Sequence, residues 1–123
     1  MKLHAERSDD VQVVTGYGPG WVAIDKQEHR TSLLLSSQGL LQDWNCPNFA
    51  ALTPAHFEAL AAHDVELVLF GSGRQLRFVP PAWLRPLMEK RIGLETMDSQ
   101  AACRTYNVLA MEGRKVLAAL VLE

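Results

Sequence analysis

The chain has 123 residues, a size typical of one domain, and 48% of them are hydrophobic while 21% are charged. Its formal net charge is −2 and its basic residues never form a long run, so nucleic acid is not an expected partner. No apolar run approaches the ~20 residues that span a bilayer, so we expect no membrane insertion. Residues 1–123 are therefore predicted to form a single domain.

The N-terminal residues and the cysteines indicate a cytoplasmic protein. Residues 1–7 lack the apolar core of a signal peptide, and the acidic residues Glu6, Asp9 and Asp10 are atypical of a transit peptide. Cys46 and Cys103 form no C-x-x-C motif, so both thiols are expected to be reduced.

The first third of the chain is predicted to be rich in β-strands. β-Branched and apolar residues favour strands or short extended segments at 11–15, 21–24, 31–36 and 40–44. Glycine-rich or polar segments predict the turns between them, at 16–20, 25–28 and 38–39. Polar residues surround Trp44, which makes it the tryptophan that we most expect at the surface.

From residue 53 onward the pattern changes to alternating helices and strands. Thr53 and Pro54 predict a helix start, with Thr53 as the N-cap. The continuous apolar run at 65–70 is typical of a parallel strand that is buried on both faces. A helix is then expected over 82–91, with Pro86 in its first turn and with Gly93 ending it.

The last quarter continues this alternation. A short strand is predicted at 94–97, followed by a helix that begins at Asp98 or Ser99 and stops at Gly113. The final strand is predicted at 116–122. Strand–helix–strand units imply right-handed crossovers and parallel pairing, so the second half predicts an α/β fold with a largely parallel sheet.

Several motifs in this half of the chain resemble a known family. They are Gly71-Ser72-Gly73, Met97-Asp98-Ser99, the segment 101–109 and Glu112-Gly113-Arg114. Together they resemble a family of small domains of unknown biochemical function, which includes a mitochondrial assembly factor for respiratory complex I and an adipogenesis-associated protein. The resemblance covers about residues 65–122. It implies a three-layer α/β domain with a central mixed sheet, and this chain resembles a bacterial member.

Two predicted strand ends carry residues that suit ligand binding. Ligands of open α/β sheets gather at the carboxyl ends of parallel strands. One end is followed by Gly71, Ser72, Gly73 and Arg74, and the other by Asp98. The glycine loop could present N–H groups to an anion, with Arg74 as the counter-charge. The alternatives are a tight turn for the glycines and helix capping for Asp98.

The helix that follows Asp98 has a polar row on one face. Gln100, Arg104 and Asn107 are spaced four and three residues apart, which places them side by side. Arginine suits recognition of oxyanions, because its planar guanidinium binds them with two N–H groups. The alternative is a solvated face on which Arg104 pairs with Asp98 or Glu112. The family resemblance favours recognition, because Arg104 and Asn107 lie within its motif.

No residues with catalytic or metal-ligating spacing stand out. His56 and His63 are seven residues apart, which does not match the zinc-binding i, i+4 pair. Cys103 is expected to be a small buried side chain. We therefore predict no metal and no cofactor. Together with this absence, the family resemblance implies a non-enzymatic binding or assembly-factor-like module with a protein partner. Two alternatives stay open: a small anionic-ligand-binding protein or enzyme with a pocket at the strand ends, and a structural domain of an obligate oligomer.

Overall fold

The computed structural model describes residues 11–123. The N-terminal acidic residues Glu6, Asp9 and Asp10, on which the cytoplasmic expectation rests, lie outside this range. No helix within residues 11–123 combines the length and the apolar character needed to cross a bilayer.

The first three strands form a small antiparallel sheet. They pair in chain order as β1 (Val14–Gly18), β2 (Trp21–Ile24) and β3 (Gln27–His29). Two turn predictions were too long. Gly16 and Gly18 belong to β1, where the Trp21 ring covers them. The turn before β3 contains only Asp25 and Lys26, whose φ values of 48° and 73° suit a two-residue hairpin.

The remaining strands form a mixed five-stranded sheet in the order β5-β4-β8-β6-β7. Their bounds are β4 (Leu33–Ser36), β5 (Leu41–Asp43), β6 (Leu67–Gly71), β7 (Gly93–Met97) and β8 (Val116–Leu120). Strand β6 pairs in parallel with both β7 and β8, whereas β4 is antiparallel to β8 and to β5. The parallel part of the sheet therefore comes from the C-terminal half, as predicted.

Three α-helices connect these strands: α1 (Pro54–Leu60), α2 (Arg85–Glu89) and α3 (Ser99–Met111). Short 3₁₀ turns at Phe49–Ala51 and Pro81–Leu84 precede α1 and α2. Pro86 lies in the first turn of α2, as predicted. The prediction that Gly93 ends this helix was wrong. The left-handed residue Arg91, with φ of 58°, follows the helix, and Gly93 is the first residue of β7.

The described residues form three layers, which confirms the predicted α/β architecture. Side chains of β6 alternate between two cores, with Val68 and Phe70 facing α1 and α2, and Leu69 facing α3. The small antiparallel sheet packs in the same layer as α3. The expectation of a surface Trp44 was wrong: it is only 5% exposed and lies 6.0 Å from Phe70 between ring centroids.

Candidate functional site

The carboxyl ends of the three parallel strands meet at one edge of the five-stranded sheet. Gly71 of β6 lies beside Met97 of β7 on one side and beside Leu120 of β8 on the other. The loop after β6, the start of α3 and the residues after β8 therefore converge. This region, which we call the strand edge, comprises residues 71–74, 98–99 and 121–123.

The loop that the sequence suggested for anion binding uses its polar groups within the fold. The Ser72 N–H donates to the Met97 carbonyl at 2.8 Å, and the Ser72 hydroxyl donates to the Gln75 carbonyl at 2.7 Å. The Gly73 N–H donates to the Ser99 hydroxyl at 2.9 Å. These donors already have acceptors in the chain, so the loop is not an open ring of N–H groups of the kind that holds anions.

The two glycines of this loop have separate structural causes. A Cβ at Gly71 would lie 2.9 Å from Ser99 Cα and 3.0 Å from Leu120 Cδ2, so α3 and β8 come too close for any side chain. Gly73 has a φ of 106°, which an L residue adopts only with strain. Close packing explains Gly71, and the tight-turn alternative explains Gly73.

The sequence left the capping of α3 to Asp98 or Ser99, and Asp98 performs it. The Asp98 Oδ1 accepts the Ala101 N–H at 2.9 Å, so Asp98 is the N-cap of α3. The Ser99 hydroxyl is buried, accepts from Gly73 and donates to the Val121 carbonyl at 2.7 Å. Ser99 therefore joins the ends of β6, β8 and α3.

Asn107 lies in the predicted polar row, but its amide is bonded inside the protein. Its Oδ1 accepts the Val14 N–H and its Nδ2 donates to the Val14 carbonyl, both at 2.8 Å. The side chain thus pairs with β1 as a neighbouring strand would. Asn107 fixes the small sheet against α3. On the side that faces β1, its amide oxygen and nitrogen are both bonded to Val14 and so cannot bind a partner there.

Arg104 and Gln100 form the more accessible part of the row. The Arg104 Nη1 donates to the Tyr17 hydroxyl at 3.1 Å, and its guanidinium lies 5.8 Å from the Tyr17 ring centroid. Arg104 is exposed and Gln100 is half-buried. The alternative in which Arg104 pairs with Asp98 or Glu112 is not seen within residues 11–123. Tyr17 was missed because it is 87 residues away in the chain.

Glu123 is the charged centre of the strand edge, and the sequence analysis did not single it out. Its carboxylate accepts the Phe49 N–H at 2.9 Å and pairs with Arg77, while its carbonyl accepts the Arg74 Nε at 3.0 Å. Partial burial opposes the charge, but the bonds from Phe49 and Arg77 lower the pKa of the Glu123 carboxyl overall. Strand β8 is also parallel to β6, so the rule for strand ends could have indicated Glu123.

A narrow cleft separates the strand edge from the β1–β2 hairpin. Its lining includes Gly18, Trp21, Arg74, Gln100 and Cys103. Its enclosed part has room for little more than one water-sized molecule, far less than a usual small-molecule site.

Burial raises the pKa of the Cys103 thiol to about 12, so it is a protonated thiol at neutral pH and a poor nucleophile. Within residues 11–123, no group of three or more His, Cys, Asp or Glu residues is arranged to hold a metal ion.

Comparisons with known proteins agree with this fold. The sequence model of a family described as "Protein of unknown function (DUF498/DUF598)" matches residues 14–121. An uncharacterized protein of Rhodobacter capsulatus is 35% identical over 108 residues, which are 88% of this chain and 82% of that protein. The crystal structure of a Bordetella parapertussis protein superposes with a TM-score of 0.85 at 32% identity, covering 92% of this chain and 97% of that one.

One similar protein has a name that states a role. NADH dehydrogenase [ubiquinone] 1 alpha subcomplex assembly factor 3 of Bos taurus is 32% identical over 89 residues, which are 71% of this chain. This chain spans about half of that relative, since the matched part is 48% of its length. The resemblance deduced from the C-terminal motifs is confirmed by this match together with the family match.

Proposed function

The chain belongs to the family of proteins of unknown function described as DUF498/DUF598. We propose that it is a non-enzymatic binding module that assists assembly of a protein complex. The observation that carries the proposal is the similarity to an assembly factor, which extends over 71% of the chain. The satisfied donors of the strand edge and the protonated Cys103 support a binding role over a catalytic one.

We place the recognition surface on the outer side of α3 beside the β1–β2 hairpin. Arg104 is its central residue, with Gln100, Arg74 and Tyr17 around it. A guanidinium has five N–H donors, and the Tyr17 hydroxyl accepts one from Arg104. Within residues 11–123 no second acceptor binds this guanidinium, which leaves N–H groups for a carboxylate that accepts two at once.

The other residues of the predicted site support this surface from inside the fold. Gly71 lets α3 approach β6, Ser72 bonds to the end of β7, and Gly73 bonds to Ser99. Asp98 caps the helix, and Asn107 holds the hairpin sheet against it. Their replacement should therefore act on recognition only through the position of α3 and β1.

The test is affinity capture of the tagged chain from extracts of its native cells. The wild type is compared with Arg104→Ala and with Arg30→Ala, which removes the same charge from an exposed arginine outside this surface. A defined partner should be captured by the wild type and by Arg30→Ala, and lost with Arg104→Ala. Equal capture by all three proteins would contradict the assignment of Arg104.

The second candidate is a small anionic ligand, bound or converted at the strand edge. It has weaker support, because Gly73, Arg74 and Arg77 already donate to groups of the chain. A metabolite screen by thermal unfolding tests it. A ligand at 100 times its dissociation constant would stabilise the fold by about 2.7 kcal/mol, and Arg74→Ala should abolish that gain.

A further inference from the structure

The connection between β6 and β7 carries the two most exposed large apolar side chains of residues 11–123, and a third that is also exposed. Phe78 and Met88 are each 69% exposed, and Leu76 is 53% exposed. Single exposed apolar residues are common, but three on one connection concentrate apolar surface in one part of the molecule.

The backbone before Pro80 holds Leu76 and Phe78 outward. Burial alternates along this segment: Leu76 and Phe78 are exposed, whereas Arg77 is half-buried and Val79 is buried. Arg77 faces the body of the protein, where it pairs with Glu123 and its guanidinium lies 4.5 Å from the Phe49 ring centroid. Val79 is 8% exposed and lies in the core. Because Arg77 and Val79 are anchored, Leu76 and Phe78 cannot turn inward without breaking those contacts.

Helix α2 continues this exposed face with one basic and one apolar side chain. Arg85 and Met88 are three residues apart and therefore lie on the same side of the helix. They line a shallow surface depression together with Pro81, Ala82 and the exposed acidic residue Glu89. Leu87, which is 1% exposed, packs inward and fixes the orientation of the helix.

The charge of the connection is opposite to that of the rest of the chain. Residues 74–91 contain five basic and one acidic side chain, a formal charge of +4. Because Arg74 and Arg77 are bonded to Glu123, the charge left on the exposed face is +2, from Arg85, Lys90 and Arg91 against Glu89. The other residues contain seven basic and 13 acidic side chains, a formal charge of −6. The apolar side chains thus lie on the positive part of a negative protein.

We infer that this face binds the surface of an anionic phospholipid bilayer. We call it the crossover surface and define it by Leu76, Phe78, Arg85, Met88, Lys90 and Arg91. Its apolar side chains would enter the boundary between head groups and acyl chains, while its cations remain at the lipid phosphates. The contact is peripheral, which agrees with the lack of a membrane-spanning helix in residues 11–123.

Charge and shape favour a bilayer over other occupants. A symmetric dimer through this face would bring two positively charged surfaces together, each with a formal charge of +2, which opposes association. Leu76 and Phe78 project from an extended segment, and a fluid lipid interface accepts projecting side chains without a matching groove. The inference uses residues other than Arg104 and does not rest on the proposed function.

The experiment is flotation of the full chain with lipid vesicles. One set contains phosphatidylcholine alone, and the other contains equal parts of phosphatidylglycerol and phosphatidylcholine. The protein should float with the second set and not with the first. The bound fraction should fall as salt is added, because salt screens the attraction between arginines and lipid phosphates.

Two variants with matched controls locate the contact. Phe78→Ser should weaken vesicle binding about tenfold, since it removes a ring from the apolar contact. Arg85→Gln should weaken vesicle binding about fivefold, because it removes one cation from the anionic lipid surface. Met111→Ser, at an apolar residue of α3 that is 55% exposed, and Arg30→Gln should leave binding unchanged. All four positions are exposed, so circular dichroism should show folded proteins.

Several results would overturn the inference. One is no flotation with phosphatidylglycerol vesicles at low salt. Another is flotation that Phe78→Ser and Arg85→Gln leave unchanged or that Met111→Ser reduces equally. A dimer in light scattering that Phe78→Ser dissolves, without vesicle binding, would assign the face to a second copy. A protein partner lost with Phe78→Ser, again without vesicle binding, would assign it to an acidic protein.

Discussion

The strand edge and the crossover surface differ in where their side chains find partners. At the strand edge the Ser72 and Ser99 hydroxyls and the Glu123 carboxylate are bonded to groups of the same chain. On the crossover surface Leu76 and Phe78 are mostly exposed, although they follow the strand edge directly in sequence. The polar residues of the strand edge therefore mainly hold the fold together. The β6–β7 connection that follows them exposes apolar side chains that have no partner within residues 11–123.

This difference has a physical reason. Buried polar groups must have hydrogen-bond partners, so a dense polar motif at a sheet edge is readily used up by the fold itself. Exposed apolar side chains have no such requirement and keep their unfavourable contact with water until a partner covers them. A dense set of polar residues in the sequence therefore does not by itself identify a surface that is free to bind a partner.

The largest expected loss of stability follows from disturbing the close packing at the strand edge. Gly71→Ala should lower the free energy of unfolding by about 3 kcal/mol, because the new methyl group meets the backbone of Ser99. Urea unfolding measures it. The control is Gly16→Ala in β1, where a Cβ finds its nearest neighbour at 3.5 Å. Equal stability of the two variants would show that α3 can move away from β6 freely.

Asn107→Ala separates a supporting role from a recognition role. It should lower the free energy of unfolding by about 2 kcal/mol, because the Val14 N–H and carbonyl both lose their partner. Gln100→Ala, in the same row, should change it by less than about 0.5 kcal/mol. Chemical unfolding of the two variants in parallel gives the comparison, and the reverse order of stabilities would refute it.

Glu123 gives the strand edge a pH dependence. Its folded pKa is below the value of about 4.3 for an unfolded glutamate, so its contribution is full above that pH. The contribution is lost as the pH falls through the folded pKa. Glu123→Gln should therefore cost about 1 kcal/mol at neutral pH and progressively less in acid. The control is Glu95→Gln, which forms no ion pair within residues 11–123. A cost for Glu123→Gln that does not change with pH would argue against the Arg77 pair.

The smallest effect is expected on the crossover surface. Phe78→Ser should change the free energy of unfolding by less than about 0.5 kcal/mol, because the ring is 69% exposed. Phe57→Ala in the core should cost about 4 kcal/mol, since that ring is fully buried. Thermal unfolding of both variants tests the contrast, and a large loss with Phe78→Ser would mean that the ring packs against the fold.

The sequence predicted the parts of the fold that local patterns determine. The apolar run before Gly71, the start of α1 at Pro54 and the cap of α3 all follow from neighbouring residues, and the α/β architecture is confirmed. The strand β3 was assigned to a turn, because its residues are polar. Trp44 was expected at the surface because of its neighbours in sequence, although its ring packs on Phe57 and Phe70.

The candidate site was less predictable, because its bonds join distant parts of the chain. Asn107 bonds to Val14 and Arg104 bonds to Tyr17 across separations of 93 and 87 residues. Spacing along α3 correctly placed the polar row on one face. It could not show that the hairpin sheet covers Asn107 and leaves Arg104 exposed, since that depends on the packing of the layers.

The most direct test of the account combines stability and capture in one pair of variants, Asn107→Ala and Arg104→Ala. Each is measured for its free energy of unfolding and for partner capture at a temperature at which both are folded. We expect Asn107→Ala to be less stable and to retain the partner, whereas Arg104→Ala should be as stable as the wild type and lose it. A stable Asn107→Ala protein that fails to capture the partner would contradict it.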